Sequence, residues 1–186
     1  MRSIPGMKVR VPCDAVETEA MIRNAVEYVG PEYIRLSREK LPLIYDRSED
    51  IDLSSAVTLI DGSDVSIIAC GIMVGEAIKA ARELKKKGVS ARVIDMHTVK
   101  PLDEECVVES AVETGAIVTA EESNILGGLG SAVAEVLSER KPTPMKRVGM
   151  RDVFGMSGDP YELMEVYRLT YKDIVEACMD TLKRKN

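Results

Sequence analysis

Aromatic residues and histidine are scarce in this sequence of 186 residues, which has no tryptophan, one phenylalanine and one histidine. The core must therefore be aliphatic, built from Val, Ile, Leu, Met and Ala. None of the four cysteines pairs with another in a C-x-x-C spacing, which excludes a zinc knuckle and a thioredoxin-like redox motif. We expect four reduced, mostly buried thiols, as in a cytoplasmic protein.

Positive charge and long apolar runs are also lacking. The net charge is -6, so no basic stripe is available to release counterions from a nucleic acid, and we expect no nucleic-acid partner. No apolar run approaches the roughly 18 residues of a membrane span. The N-terminus "MRSIPGMKVRVP" has no apolar signal-peptide core. We therefore expect no membrane interaction and a cytoplasmic location.

Residues 1–46 are predicted to form a partial α/β unit of strand, helix and strand. The apolar spacing indicates a helix over residues 15–29, with Asp14 as its N-cap and Glu17 three residues later. The unit is too small to be a domain on its own, and its apolar faces are left uncovered. The charged residues 47–55 have no sustained period and are predicted to be a linker.

Residues 56–186 alternate strands with helices of 10 to 15 residues, which predicts an α/β domain. Such alternation implies a mostly parallel sheet with helices on both faces. The turn Asp61-Gly62 lies between the apolar runs "AVTLI" and "DVSIIAC" and predicts a hairpin. We therefore expect one antiparallel edge strand beside the parallel ones.

The stretch "AEESNILGGLGSAVAEVL", residues 120–137, has a glycine-rich turn where a strand meets a helix. It has neither the spacing nor the position of the dinucleotide-binding fingerprint, and it lacks the Lys and Ser/Thr of a P-loop. Two interpretations stay open: the small residues allow close helix–sheet packing, or the helix N-terminus holds an anion. His97 follows a strand, and one histidine with no cysteine nearby favours a structural role over metal binding.

Two arginines follow the short strand "EYIRL" in an otherwise acidic chain. Arg38, with Ser37 beside it, suits a phosphate held by two parallel hydrogen bonds. The alternative is a surface arginine that pairs with Glu39 or Asp46.

Several segments in order resemble one known family. These are "RSIPGMKVRVPCDAVET", "GPEYIRLSREKLP", "DVSIIACGIMVGEAIKAARELKKKGVSARVIDMHTVKPLDEE", "GAIVTAEESNILGGLGSAVAEVLSE" and "RVGMRDVFGMSGDPYELMEVYRLTYKDIVEA". Together they resemble the C-terminal part of a transketolase, of the split kind whose two halves are separate chains. The resemblance covers essentially the whole sequence.

This resemblance implies a thiamine diphosphate-dependent transferase of the pentose phosphate pathway that moves a two-carbon ketol unit between sugar phosphates. It implies an end of the pyrimidine-binding domain over residues 1–46, a linker over 47–55 and the C-terminal domain over 56–186. The chain is then expected to begin mid-domain, after the glutamate that activates the cofactor. It would hold no catalytic, cofactor-binding or metal-binding residue, and it would be inactive alone.

The same resemblance implies the partners and one site. The complete enzyme would bind thiamine diphosphate with Mg (or Ca), together with an N-terminal transketolase half, and the chain would form a homodimer. Arg38, with Ser37, would bind the substrate phosphate. Split transketolases typically have histidine where this chain has Ser123, which puts the role of that position in doubt. The family's third domain has a structural turn at the glycine-rich loop, which favours the packing interpretation.

Two other functions compete with this one. The chain could be a non-catalytic dimerisation or assembly module of a thiamine diphosphate enzyme, like a 2-oxo acid dehydrogenase beta chain or a deoxyxylulose phosphate synthase. An independent nucleotide-binding domain is disfavoured because the glycine fingerprint is missing.

Overall fold

A computed structural model describes residues 1–46 and 51–185, so residues 47–50 of the predicted linker lie outside the described residues. In chain order the elements are β1 (Lys8–Arg10), α1 (Ala15–Glu27), β2 (Glu32–Ile34), β3 (Val57–Ile60), β4 (Val65–Ala69), α2 (Met73–Lys86), β5 (Ala91–Asp95), β6 (Thr98–Lys100), α3 (Glu104–Thr114), β7 (Ile117–Asn124), α4 (Leu129–Arg140), β8 (Met145–Met150), α5 (Pro160–Val166) and α6 (Tyr171–Leu182).

The main sheet has five strands in the order β3-β5-β4-β7-β8. The β4–β5, β4–β7 and β7–β8 pairs are parallel, and β3 is antiparallel to β5 at the edge. The predicted α/β class, with a mostly parallel sheet and one antiparallel edge strand, is therefore confirmed.

The predicted hairpin at Asp61-Gly62 is wrong. The strands β3 and β4 are not neighbours, because β5 lies between them and pairs with both. Gly62 lies so close to the start of β5 that an added Cβ would overlap the backbone of Ala91 and Arg92. The glycine thus allows the chain to cross the end of a neighbouring strand, which a sequence pattern alone does not distinguish from a tight turn.

Helices cover both faces of the five-stranded sheet. The helices α2 and α6 pack together on one face, and α3 and α4 pack together on the other. The central strand β4 is fully buried, and consecutive residues Ile67 and Ile68 belong to the two separate cores. This two-sided burial explains why β4 and the start of β7 are mostly apolar in sequence, with Ser66 and Thr119 as their buried polar residues.

The first 46 residues share a sheet with the rest of the chain. Strand β1 pairs in parallel with β2 and antiparallel with β6, a short strand that the sequence pattern did not predict. The pair formed by β1 and β2 therefore gains its third strand from the segment after β5. The predicted units are joined by backbone hydrogen bonds as well as by side-chain packing.

The predicted N-cap of α1, Asp14, is confirmed, and its side chain also binds backbone N–H groups of a distant segment. The Asp14 Oδ1 atom accepts the N–H of Glu17 at 2.8 Å, and Glu17 Oε2 accepts the N–H of Cys13 at 2.6 Å. The other Asp14 oxygen accepts the N–H groups of Ile44 and Tyr45 at 2.7 and 3.0 Å. One carboxylate thus caps the helix and anchors the segment that leads to the main sheet.

The predicted state of the cysteines is confirmed: all four are free, three are buried and Cys106 is half-buried. Within residues 1–46 and 51–185, no helix combines the length and hydrophobicity needed to cross a membrane.

Candidate functional site

The glycine-rich turn before α4, which we call the α4 turn, holds an anion, and that anion is the protein's own Glu121. The Glu121 carboxylate accepts the N–H of Leu129 at 2.9 Å and the N–H of Gly130 at 2.8 Å. Ser123 donates its hydroxyl to the same carboxylate at 2.5 Å. Glu121 is 1% exposed, so its charge is stabilised by the N-terminus of α4 inside the fold.

Two glycines of this turn are required by close packing. A Cβ on Gly128 would overlap the Glu121 carboxylate, and a Cβ on Gly130 would lie 2.8 Å from Thr119 Oγ1. Both interpretations of the turn are therefore partly correct, since the small residues allow close packing and the packed group is an anion. A diphosphate does not fit here, because the N–H groups of Leu129 and Gly130 already bind a buried carboxylate.

Arg35 forms an internal ion pair. Its guanidinium donates to Glu122 at 2.9 Å, and both side chains are about one-third exposed. Because Arg35 follows β2 and Glu122 belongs to β7, the pair connects the first 46 residues to the main sheet. Of the two arginines that follow β2, Arg35 therefore has a structural partner.

Arg38 differs from Arg35 in that its guanidinium has no such partner within the described part of the chain. Its side chain is exposed, and among residues 1–46 and 51–185 it makes no hydrogen bond or ion pair. Pairing with Glu39, one of the alternatives from sequence, is therefore not seen. Ser37 accepts the N–H of Glu39 at 3.2 Å, which holds the turn that presents Arg38.

A groove of about 660 Å³ lies beside Arg38, and we call it the Arg38 groove. One side comes from the segment after β2, and the other comes from α5 and the loop before it. Its lining residues are Arg35, Leu36, Ser37, Arg38, Glu39, Ile72, Met73, Glu122, Met150, Gly155, Met156, Gly158, Pro160, Leu163, Met164, Tyr167 and Leu169. A guanidinium in such a groove can bind an oxyanion. The apolar lining would limit the access of water to the resulting ion pair.

A second polar cluster, which the sequence pattern did not predict, lies sealed between α1 and β5. Cys13, Glu17 and Asp95 place their sulfur and carboxylate oxygen atoms within 4.8 Å of one another, and all three side chains are buried. Tyr45 donates its hydroxyl to Asp95 at 2.8 Å. The polar Asp95 at the end of an apolar strand was the available signal, but its partners come from a distant segment.

Burial determines the protonation of this cluster. Desolvation, followed by the charge of Asp95, raises the pKa of Glu17 to about 9. Desolvation also raises the pKa of Asp95, although hydrogen bonds from Tyr45 and Cys13 oppose that shift. The pKa of the Cys13 thiol is raised as well, chiefly by burial. At neutral pH the two carboxyl groups therefore hold a proton between them, which suits a structural contact better than a metal site.

His97 is buried in a structural position. Its Nε2 donates to the carbonyl of Ser55 at 3.0 Å, and its Nδ1 lies 2.8 Å from the Thr98 hydroxyl. Burial lowers the pKa of His97, which keeps the imidazole neutral. This geometry agrees with the structural role favoured from the sequence.

Comparison with known families finds a match for each of two segments of the chain. Residues 54–174 match the family described as transketolase, C-terminal domain. Residues 1–43 match the family described as transketolase, pyrimidine binding domain.

Curated relatives match across the whole chain. The 6-deoxy-6-sulfo-D-fructose transketolase subunit SqwH of Clostridium sp. (strain MSTE9) is 47% identical over 100% of this chain and 58% of its own length. A subunit of the apulose-4-phosphate transketolase of Phocaeicola vulgatus is 38% identical over 99% of this chain and 59% of its own length. The chain thus spans less than two thirds of the length of these relatives.

A solved structure has the same fold. It is described as a split gene transketolase, inactive beta4 tetramer, and it superposes with a TM-score of 0.96 at 48% identity. The superposition covers 100% of this chain and 61% of the other.

Proposed function

The chain belongs to the transketolase family, and on that premise we propose that it works in a split transketolase. The complete enzyme would transfer a two-carbon ketol unit between sugar phosphates, in the pentose phosphate pathway or a related part of cytoplasmic carbohydrate metabolism. The observation that carries this proposal is the guanidinium of Arg38 at the edge of a groove, unpaired among the residues that the structure describes. Two relatives are named as transketolase subunits, which supports a two-chain enzyme.

Arg38 is proposed to bind the anionic end of the substrate, with Ser37 holding the turn beside it. A guanidinium donates two parallel hydrogen bonds to a phosphate, and it stays charged at every physiological pH. The neighbouring Arg35 is neutralised by Glu122, so Arg38 is the arginine of this groove that is available to an external anion.

The names of the relatives define the substrate class for this proposal. One relative is named for a sulfonated sugar and another for a phosphorylated sugar. Sulfonate and phosphate groups both present oxygen acceptors to a guanidinium. We therefore propose a sugar with a terminal oxyanion, and both kinds belong in the assay.

Thiamine diphosphate with Mg (or Ca) would supply the carbanion chemistry when bound in the complete enzyme. The α4 turn does not fit the diphosphate, because Glu121 takes its N–H groups. We propose that the N-terminal transketolase half provides the diphosphate and metal site, that this chain contributes no catalytic residue, and that it is inactive alone.

The proposed domain division follows the resemblance. Residues 1–46 would be the end of the pyrimidine-binding domain, residues 47–55 a linker, and residues 56–186 the C-terminal domain. We also propose self-association as a homodimer. On α1 and just after it, Ile22, Val26 and Val29 are 46%, 83% and 96% exposed, which is an apolar stripe suited to a partner surface.

A non-catalytic assembly module is the second candidate. The observation that favours it is the structural neighbour, which is described as an inactive beta4 tetramer. In that case the chain would assemble with itself and would add no activity to a partner.

Mixing the chain with an N-terminal transketolase half separates the two candidates. Ketol transfer would be measured with a phosphorylated and a sulfonated donor, in the presence of thiamine diphosphate and Mg. Activity that appears only in the mixture supports an enzyme subunit. A stable oligomer with no gain of activity in the mixture supports the assembly module.

A further inference from the structure

The Arg38 groove is built from two distant parts of the chain. Arg38 follows β2, whereas Gly155, Met156 and Tyr167 come from the loop before α5 and from the end of that helix. The loop from Arg151 to Gly158 has no regular structure, and its residues are exposed. Something other than burial must therefore hold this loop beside the groove.

Tyr167 holds the loop by two hydrogen bonds from one hydroxyl. Tyr167 accepts the backbone N–H of Met156 at 2.8 Å and donates to the carbonyl of Phe154 at 3.2 Å. At the other end of the loop, Asn124 donates to the Asp152 side chain at 2.8 Å. The loop is thus attached at both ends, and Met156 lies at the groove.

The chemistry of the two sides is complementary. The guanidinium of Arg38 pairs with none of the described residues, and much of the remaining groove lining is apolar, including Met150, Met156, Leu163 and Met164. An ion pair between Arg38 and an oxyanion would be weakened by water and salt if it were fully exposed. An apolar wall beside the pair excludes water and strengthens the attraction.

We propose that the loop 151–158 is the second wall of the substrate-anion site, with Met156 contacting the bound sugar near its anionic end. Tyr167 is a positioning residue that acts through the loop. This inference rests on the proposed function of Arg38 and extends it to the C-terminal domain, which thereby takes part in substrate binding as well as in assembly.

The test is a titration of the chain with ribose 5-phosphate, with ribose as the matched ligand lacking the anion. Methionine methyl groups labelled with ¹³C report on the loop, and the Met156 signal is assigned with Met156→Leu. We expect the Met156 methyl signal to shift with ribose 5-phosphate and not with ribose. The shift should disappear in Arg38→Ala, while the buried Met21 should not respond.

Tyr167→Phe removes the hydroxyl and keeps the ring. We expect it to raise the dissociation constant for ribose 5-phosphate about five-fold, the effect of losing roughly 1 kcal/mol, and to make binding more sensitive to added salt. Tyr161→Phe is the control, since Tyr161 lies on the same helix, is 64% exposed and does not line the groove. Met156→Ser should weaken binding in the same way, whereas Met156→Leu should keep it.

The outcomes separate this inference from the proposed function. One outcome would overturn the role of the loop and keep the phosphate role of Arg38. In that outcome binding depends on Arg38, the Met156 methyl signal does not shift, and Tyr167→Phe and Met156→Ser bind ribose 5-phosphate with wild-type affinity. Binding of ribose 5-phosphate that does not depend on Arg38, or no binding at all, would overturn the phosphate role itself and the inference with it.

Discussion

Two regions of this molecule are suited to anions, and they differ in where the anion comes from. At the α4 turn, two backbone N–H groups bind the carboxylate of Glu121, which is 1% exposed. At the Arg38 groove, an exposed guanidinium has no hydrogen-bonding or ion-pair partner within residues 1–46 and 51–185. The first region is satisfied by the protein itself, and the second is open to a ligand.

The difference shows that a motif does not reveal whether its polar groups are already paired within the fold. The glycine-rich turn resembles a phosphate cradle in sequence, yet its donors are already used. The short segment after β2 has no nucleotide-binding motif, yet it presents a charged group with no partner among the described residues. Four predictions test whether these and the other buried or paired polar groups act as described, beginning with the largest expected effect.

Gly128→Ala should destabilise the fold by about 4 kcal/mol, because the new Cβ would displace a buried carboxylate from the helix N-terminus. Urea denaturation would measure the free energy of unfolding. The control is Gly75→Ala in α2, where a Cβ meets nothing within 4 Å and where alanine should stabilise the helix by up to about 1 kcal/mol. Wild-type stability of Gly128→Ala would show that the α4 turn is not closed by Glu121.

Arg38→Ala in the complete enzyme should weaken the binding of phosphorylated substrates by roughly 2 to 4 kcal/mol, the effect of losing a charge-assisted pair in a site. Unphosphorylated acceptors should be nearly unaffected. Steady-state kinetics with both substrate types would measure the difference, and Arg38→Lys should lie between because an ammonium lacks the fork geometry. Equal losses for both substrate types would reject the phosphate role.

The buried carboxyl pair should make the chain less stable as pH rises. The pKa of Glu17 is raised to about 9 in the folded state, while the unfolded value is near 4.5. The folded state then binds more protons between these values, so the free energy of unfolding falls with pH, by at most about 1.4 kcal/mol per pH unit from this group.

Glu17→Gln should remove that slope, because the amide stays neutral throughout. Thermal or urea unfolding between about pH 5 and 9 would measure it. The control Glu27→Gln lies on the same helix at an exposed position and should keep the wild-type slope. A slope that is identical in wild type and Glu17→Gln would show that the pair does not hold a shared proton.

Arg35→Ala should have the smallest effect, about 1 kcal/mol of stability, because its ion pair with Glu122 is partly exposed and screened by solvent. Unfolding in low and high salt would measure it, and the loss should shrink as salt rises. The matching variant Glu122→Gln should behave alike. A loss in Arg35→Ala that does not depend on salt would indicate a packing role instead of an ion pair.

Local patterns in the sequence predicted most of the elements. Alternating strands and helices indicated the parallel sheet, and the N-cap predicted at Asp14 is confirmed by a side-chain hydrogen bond. These features depend on residues a few positions apart, so the sequence carries them directly. The family resemblance added the expectation that the two segments belong to one multidomain enzyme.

Pairings between distant residues were not predictable in the same way. Strand β3 pairs with β5 instead of β4, and β6 completes the sheet of β1 and β2, because strand order depends on how helices pack across the sheet. The buried cluster of Cys13, Glu17 and Asp95 likewise joins the start of α1 to the end of β5, two elements far apart along the chain.

Residue types and their spacing were enough to predict the α/β class, the Asp14 cap and the aliphatic core, while the phosphate role of Arg38 stays a prediction. The folded chain was needed to see that Glu121 fills the glycine-rich turn, that Glu122 neutralises Arg35, and that Met156 lines the same groove as Arg38. The physical reason is that charge and hydrogen-bonding capacity belong to residue types, whereas their satisfaction depends on which partners the fold brings within reach.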